Sequence, residues 1–494
     1  MNKKKSFLIF NVLCMASISL LFFRLTTGHN WEDDFALYLL QAQGLVDGKL
    51  DSILAANAYT VKNSGFPFGP LAYPWGTSLL LTPLYFAFGL NFLALKLLGV
   101  IAMLGLLFTL YFGYKNRHQP AWLLVLVGLF SFNHWLLSAV DNILSDIPFL
   151  FFSTLTVIII DRVIAKNQVF TVILLDRILI GLLVGSCYLI RSNGVLLVPL
   201  ISLAQLISFR KQPFQLTKYV QANCLAILLP YLSLALLIFI VTYLLPDGGL
   251  SHVAHLSISS PALMLDNFLY NLALPAEFFG HRAIYFVTGF FFVIGIIKVG
   301  ISRQIEVVYM ILTLAIYIVW PYQQGLRFLL PLLPFYISFA ISGVEVFLTS
   351  IQQITWCKRI ARPFALAAAL SFILAQFIYA TVIDQRNLNV KRVIPDGVGT
   401  PAATELFSFI RASRRPEDII VFRKPRAMHL MTGVPSIMLS DGPVIAKTLP
   451  VLLVLDSKNT DYQIDDSALA ELRTRHPTQR LFSNDQFSVY RIHN

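Results

Sequence analysis

Charge is scarce in this sequence. Asp, Glu, Lys and Arg together make up 13% of its 494 residues, against 56% hydrophobic ones. That balance excludes an ordinary water-soluble domain. The four cysteines (Cys14, Cys187, Cys224 and Cys357) fall in or beside apolar segments. They have neither metal-ligand spacing nor a soluble domain to staple, so they read as small hydrophobes. The chain lacks a phosphate-binding loop, a dinucleotide glycine fingerprint and a Gly-x-Ser-x-Gly elbow, so a soluble nucleotide donor is not indicated. It has no internal repeat, which counts against the inverted-repeat transporters.

What is present is apolar length. Mean hydropathy is +0.69, and runs of about 20 apolar residues match the roughly 30 Å hydrocarbon core of a bilayer. Lys3-Lys4-Lys5 precede an apolar Ser6 to Leu25 with no small-x-small cleavage site, which reads as an uncleaved anchor with its N-terminus in the cytoplasm. A long first external loop, residues 26–91, follows. Asp34 to Gly48 reads there as a short helix, Gly65 to Pro74 as irregular chain, and Gly76 to Phe88 as a helix lying in the interface. A second large external loop covers residues 246–282. Apolar runs elsewhere bring the count to about eleven spans.

The net charge of +12 need not mean nucleic acid, because basic residues gather on cytoplasmic turns. On this topology the inner turns hold Lys3, Lys4, Lys5, Lys115, Arg117, Arg162, Lys166, Arg210, Lys211, Lys218, Arg303, Lys358, Arg359 and Arg362. The outer turns before residue 384 hold Lys49, Lys62, Arg191, Arg282 and Arg327. From residue 384 the composition turns polar. Thr404 to Ala412 has helical spacing, and Asp418 to Phe422, Pro450 to Leu455 and Gln486 to Ile492 read as strands. The expected architecture is an all-α polytopic membrane protein, residues 1–383, with a small C-terminal extracytoplasmic α/β domain, residues 384–494. A cytoplasmic (inner) membrane location fits that pattern.

Against so little charge, Glu32, Asp33 and Asp34 stand out, directly after the first span, with Tyr38 one turn beyond Asp34 on the same helix face. Asp141 and Asp146 bracket a short outer turn. Asp146 opens the next span two residues before Pro148, where a helix cap explains it as well as a site does. Arg191 and Arg327 sit at outer mouths of the bundle, suited either to snorkelling or to a phosphate clamp. His252, His255 and His281 with Glu277 lack a metal-ligand signature and read as loop polarity. The C-terminal bases Arg411, Arg414, Arg415, Arg423, Lys424 and Arg426 read as a solvated face, although they would also suit an anionic acceptor.

An acidic group after the first span, Tyr73-Pro74-Trp75-Gly76, Leu144-Ser145-Asp146-Ile147-Pro148-Phe149, Arg327-Phe328-Leu329-Leu330-Pro331 and Val421-Phe422-Arg423-Lys424-Pro425-Arg426 follow one another in this order. Together they resemble the C-type (GT-C) membrane glycosyltransferases, in style nearest the protein O-mannosyltransferases and lipid A aminoarabinose transferases. The resemblance implies a sugar donor on a polyprenyl phosphate, used at the outer membrane face with inversion. It implies a first-loop Asp as the base: aligning on Tyr38 selects Asp34, the favoured choice, and aligning on Gly48 selects Asp33. It matches Asp146 to the second acidic motif and Arg191 to a residue holding the lipid phosphate. Arg327, Tyr38, Glu32 and Asp141 complete the expected substrate-binding set. A divalent cation, Mg²⁺ or Mn²⁺ between Asp34 and Asp146, is left open. The acceptor, whether lipid, glycan or protein, is open too. A polymerase or ligase of lipid-linked glycans, and a lipid-linked sugar transporter or flippase, are the competing readings.

Overall fold

The computed structural model describes residues 2–65, 69–168, 173–211, 216–246, 260–351, 357–383 and 392–493. His252, His255 and the expected domain boundary at residue 384 lie outside the described residues.

The chain is an all-α polytopic membrane protein with a small C-terminal α/β domain. Among the described residues nine helical segments are long and apolar enough to cross a membrane. Pro120–Ser131 and His134–Val140, bent by 51°, make a tenth when counted as one span. The bend has a local cause: Asn133 caps the second helix, its side chain accepting from the Leu136 N–H at 3.1 Å. The longest segment, Arg282–Val319, has 38 residues. A straight helix of that length would run about 57 Å, nearly twice the hydrocarbon core. It is instead two helices, Arg282–Val299 and Gln304–Val319, parted by a short turn at Gly300–Arg303. The two arms have 18 and 16 residues, so the nine or ten candidate segments among the described residues stand against the about eleven spans expected from the sequence.

Buried ion pairs mark the two ends of the bundle. Asp146 begins the helix Asp146–Ile160, and Asp161 follows its last residue. Asp161 pairs with Arg117 and, at 2.9 Å, with Lys166; Arg117 also pairs with Glu306, which Arg303 reaches as well. Glu306 is 0% exposed, so this cluster survives only because each charge has a partner. Next to it His118 bonds Ser338 at 2.8 Å and Glu345 at 3.2 Å. Asp146, at the other end, faces Arg191 and Arg327.

That second end carries the extramembrane parts. In the first loop the helix Asp34–Asp47 is joined by a second, Leu50–Asn63, which sequence reading left undivided from the loop. The helix Trp75–Phe88 has 14 residues and contains Pro83, too short to span. The C-terminal sheet has β1 (Ile419–Val421), β2 (Ser436–Ile437), β3 (Val451–Asp456), β4 (Thr478–Ser483) and β5 (Phe487–Ile492), ordered β2-β1-β3-β5-β4. β2, β1 and β3 run parallel, while β5 and β4 run antiparallel. β2 and β4 were not expected: one is two residues long, and the other is Thr-Gln-Arg-rich with no apolar alternation.

The sheet is welded to the first loop by a shared core. The Trp31 ring sits edge-on to Phe407, Phe422 and Phe487 at 6.2, 5.6 and 5.9 Å, and its indole N–H donates to Asp396 at 2.9 Å. The helix Pro425–Thr432, between β1 and β2, packs on the helix Asp34–Asp47.

Candidate active site

Asp34 opens its helix, where the helix dipole favours a carboxylate. Its Oδ1 accepts a 2.6 Å bond from the Tyr73 hydroxyl. Tyr73 is fixed in turn by Gln41, which donates to its carbonyl at 3.1 Å and accepts from its N–H at 3.0 Å. Tyr38, one turn after Asp34, lies 5.0 Å ring to ring from Tyr73 and donates to Ser145 Oγ at 3.2 Å. Burial, and then the Asp34 charge, push Tyr38 up to about 12 and raise Tyr73 as well, so both remain hydroxyl donors at neutral pH.

Arg327 bridges the two acidic motifs. Its Nη2 lies 3.5 Å from Asp34 Oδ2 and 3.1 Å from Asp146 Oδ2. Arg191 Nη1 lies 2.6 Å from Asp146 Oδ1, and its guanidinium stacks 5.1 Å from the Phe328 ring. Burial opposes the charge on both arginines, but Asp146 on each, with Asp34 and Glu32 on Arg327, holds them above the ordinary range. Two features of the backbone place them. Gly325, at φ +68, makes the turn into Arg327. A Cβ on Gly76 would come within 2.5 Å of the Ile190 nitrogen, so only glycine lets the helix Trp75–Phe88 start against the chain just before Arg191.

Two cavities meet at this cluster. One, about 420 Å³, lies among span ends and is lined by Ile190, Arg191, Tyr317, Trp320, Arg327 and Phe328 beside Asp34 and Tyr73. The other, about 510 Å³, lies between the first loop and the C-terminal domain and is lined by Glu32, Asp33, Arg423, Lys424 and Arg426. Asp34, Tyr73 and Arg327 border both.

The structure thus brings together Asp34, Tyr38, Asp146, Arg191 and Arg327. It sets Asp33 and Glu32 on the second cavity, where burial raises both carboxyls. Asp33 Oδ1 accepts from the Ala427 N–H at 3.3 Å, in the first turn of the helix Pro425–Thr432, and Glu32 accepts from Asn30 at 3.1 Å. Asp141 is placed elsewhere and lines neither of these two cavities. Its carboxylate lies 2.8 Å from the buried Lys96 ammonium and accepts from the N–H and hydroxyl of Thr26, tying the end of the first span to the turn between Val140 and Asp146. Lys96 hides this pairing in the sequence, because it sits within the apolar run Phe92 to Phe112. The space between Asp34 and Asp146 is taken by the Arg327 guanidinium, so these two carboxylates do not fit a Mg²⁺ or Mn²⁺ site. Among the described residues no three His, Cys, Asp or Glu side chains cluster as metal ligands. His281 caps a helix, its Nδ1 accepting from the Ala283 N–H at 3.1 Å.

His29 escaped sequence reading. Its ring stacks on Phe35 at 3.8 Å, its Nε2 accepts from the Ile143 N–H at 2.9 Å, and Nδ1–H donates to the Asn30 carbonyl at 3.1 Å. Its backbone pairs with Val398 in both directions, at 2.8 and 2.6 Å. One residue thereby joins the first acidic loop, the turn before Asp146 and the approach to the C-terminal domain. A lone histidine carries no spacing signal.

This chain has the fold of the GT-C membrane glycosyltransferases. Among solved structures it is similar to ArnT from Cupriavidus metallidurans, with TM-score 0.61 and 9% identity over 99% of this chain and 98% of that one. The same protein bound to undecaprenyl phosphate gives 0.58 at 10% identity over the same shares. The archaeal oligosaccharyltransferase AglB from Archaeoglobus fulgidus, in complex with an inhibitory peptide and a dolichol-phosphate, gives 0.57 at 11% identity over 92% of this chain and 69% of that one. No family model and no curated protein matches the sequence.

Proposed function

We propose that the protein is an inverting glycosyltransferase that moves a sugar from a polyprenyl phosphate to an acceptor hydroxyl. It acts at the outer face of the cytoplasmic membrane, with the N-terminus inside and the C-terminal domain, residues 384–494, outside. The observation that carries this reading is the meeting of two cavities at Asp34, one of them apolar-walled, set among span ends and furnished with Arg191 and Arg327. The ArnT and AglB structures with polyprenyl-type phosphates support the donor class.

In this mechanism the lipid phosphate sits against Arg191 and Arg327, whose guanidinium forks suit its oxygens. The acceptor hydroxyl comes to Asp34 from the other side. Its oxygen bonds to the anomeric carbon as its proton passes to the Asp34 carboxylate. The carbon–oxygen bond to the phosphate breaks, and the electron pair leaves on polyprenyl phosphate, whose growing charge the two arginines stabilise. No protein acid is needed, because the leaving group is a phosphate monoester. Tyr73 aims the Asp34 carboxylate. Asp146, paired to both arginines and 4% exposed, is a positioning residue for the phosphate clamp rather than a second base. Asp33, the alternative base, is engaged by the Ala427 N–H.

Purified protein is tested for sugar release from a panel of polyprenyl-phosphate sugars, wild type beside Asp34→Asn and Asp146→Asn. Turnover of one donor, lost in Asp34→Asn, is the expected result. Unchanged turnover in Asp34→Asn, or none with any donor despite normal lipid binding, refutes the assignment.

A further inference from the structure

The second cavity differs from the first in what its cations are doing. Arg191 and Arg327 are both engaged by carboxylates. On the C-terminal wall of the second cavity, the Lys424 ammonium has no ion pair or hydrogen bond among the described residues, and it lies 5.9 Å from the Tyr462 ring centre. Arg423, 5% exposed, uses Nε on Asp456 at 3.0 Å, while its Nη2 is buried without a hydrogen-bond partner. A buried guanidinium N–H left unpaired is costly, and Arg423 lines this cavity, so its positive charge adds to that of Lys424 there. Arg426 is fixed by Asn57 at 2.9 Å and Pro70 at 3.1 Å and touches the Tyr73 hydroxyl at 3.4 Å, so the basic wall is tied to the group that holds Asp34.

The sheet explains why these bases gather here. Arg423, Lys424 and Arg426 follow the carboxyl end of β1, the middle strand of the parallel trio. The crevice outside such strand ends is where open α/β sheets bind ligands. The opposing wall carries Glu32 and Asp33, whose carboxyls burial pushes toward the neutral form. The first cavity has the apolar walls a lipid-borne donor needs; the second is framed by the first loop and the C-terminal domain.

We infer that the second cavity receives the acceptor, and that it takes an acceptor bearing an anionic group, a phosphate or carboxylate, next to the reacting hydroxyl. Lys424 and Arg423 are then specificity-determining residues. This rests on the transferase reading above.

The test uses the full-length protein in two arms. Acetylation of Lys424 is followed by mass spectrometry with four probes: sn-glycerol 1-phosphate, glycerol, and phosphatidylglycerol or diacylglycerol in phosphatidylcholine vesicles. A phosphate-bearing probe slows modification and its neutral counterpart does not; the pair that responds tells a soluble anion from a lipid headgroup. Protection by neither phosphate overturns the anion site, and needs no turnover to do so. In the second arm, transfer from the donor found above is compared for the same pairs. Wild type favours the phosphate-bearing acceptor about tenfold or more in kcat/KM, as expected for a charge-assisted contact. Lys424→Gln brings the ratio toward unity and Lys424→Arg restores it. A ratio unmoved by Lys424→Gln overturns the acceptor role. Protection without turnover of any donor leaves the anion site standing and removes the transferase reading instead.

Discussion

His29 offers a quantitative check on how the site is held. The residue is 0% exposed, and burial, the leading cause, lowers its pKa from 6.5 to about 3. Geometry agrees: protonation would turn the Nε2 acceptor of the Ile143 N–H into a donor facing a donor. The folded imidazole is therefore neutral throughout the range in which the unfolded one takes up a proton. A base with a depressed folded pKa contributes its full stability above about pH 6.5, and that contribution is lost as pH falls toward 3. At roughly 1.4 kcal/mol per unit, the loss is about 2 kcal/mol by pH 5 and about 4 kcal/mol at pH 3. His29→Gln keeps an acceptor for the Ile143 N–H and cannot titrate. The assay is the apparent unfolding free energy of detergent-solubilised wild type and His29→Gln between pH 7.5 and pH 4.5. Wild type should weaken on acidification by about 2 kcal/mol more than the variant by pH 5. Sugar release should fall over the same interval, because His29 joins the Asp34 loop to the turn before Asp146. Parallel pH curves for the two proteins, or a His29 titration near 6.5, would refute the reasoning.

Two further outcomes follow from packing. Glu306→Ala strips the shared partner from buried Arg117 and Arg303. It should cost about 3–5 kcal/mol, read as loss of folded protein on gentle heating, while sugar release per folded molecule stays intact because the cluster lies at the far end of the bundle. Gly76→Ala adds a Cβ 2.5 Å from the Ile190 nitrogen. It should move Arg191 off the phosphate and lower donor turnover about a hundredfold, with little effect on the C-terminal domain; full turnover in this variant would sink the role given to Arg191.

The proposed chemistry depends on a separation of duties among the charges. Asp34 retains an exposed edge and one strong hydrogen bond, which suits a proton acceptor. Asp146 is enclosed by two guanidinium groups, which suits a fixed counter-charge that keeps them in register for a phosphate. Removing Asp146 would leave two like charges unrestrained beside each other. Asp146→Asn should therefore weaken donor binding as well as turnover.

Much of this protein was legible in one dimension. A membrane helix must satisfy its own backbone and match a fixed thickness, so apolar length alone gives a polytopic helical protein of about eleven spans. The acids after the first span and the two outer arginines were visible because charge is so rare around them. Other features had no local signature. Whether a carboxylate is a base, a counter-charge or a staple depends on which side chain distant in sequence comes within 3 Å of it. Asp141 and Asp146 lie five residues apart, yet one meets Lys96 and the other Arg191 and Arg327. In the sequence Lys96 lies inside an apolar run, His29 is a lone polar residue ahead of the acids, and Lys424 reads as a solvated base. Only the tertiary packing seats them, respectively, beneath the turn between Val140 and Asp146, between the two acidic motifs and across a cavity from Asp33. The sequence by itself determined the class of fold and singled out the scarce charges from which a candidate site could be built, because both follow from hydropathy and charge along the chain. The tertiary structure decided the partners and duties of those charges, because electrostatic interactions act over a few ångströms of space and take no account of separation along the sequence.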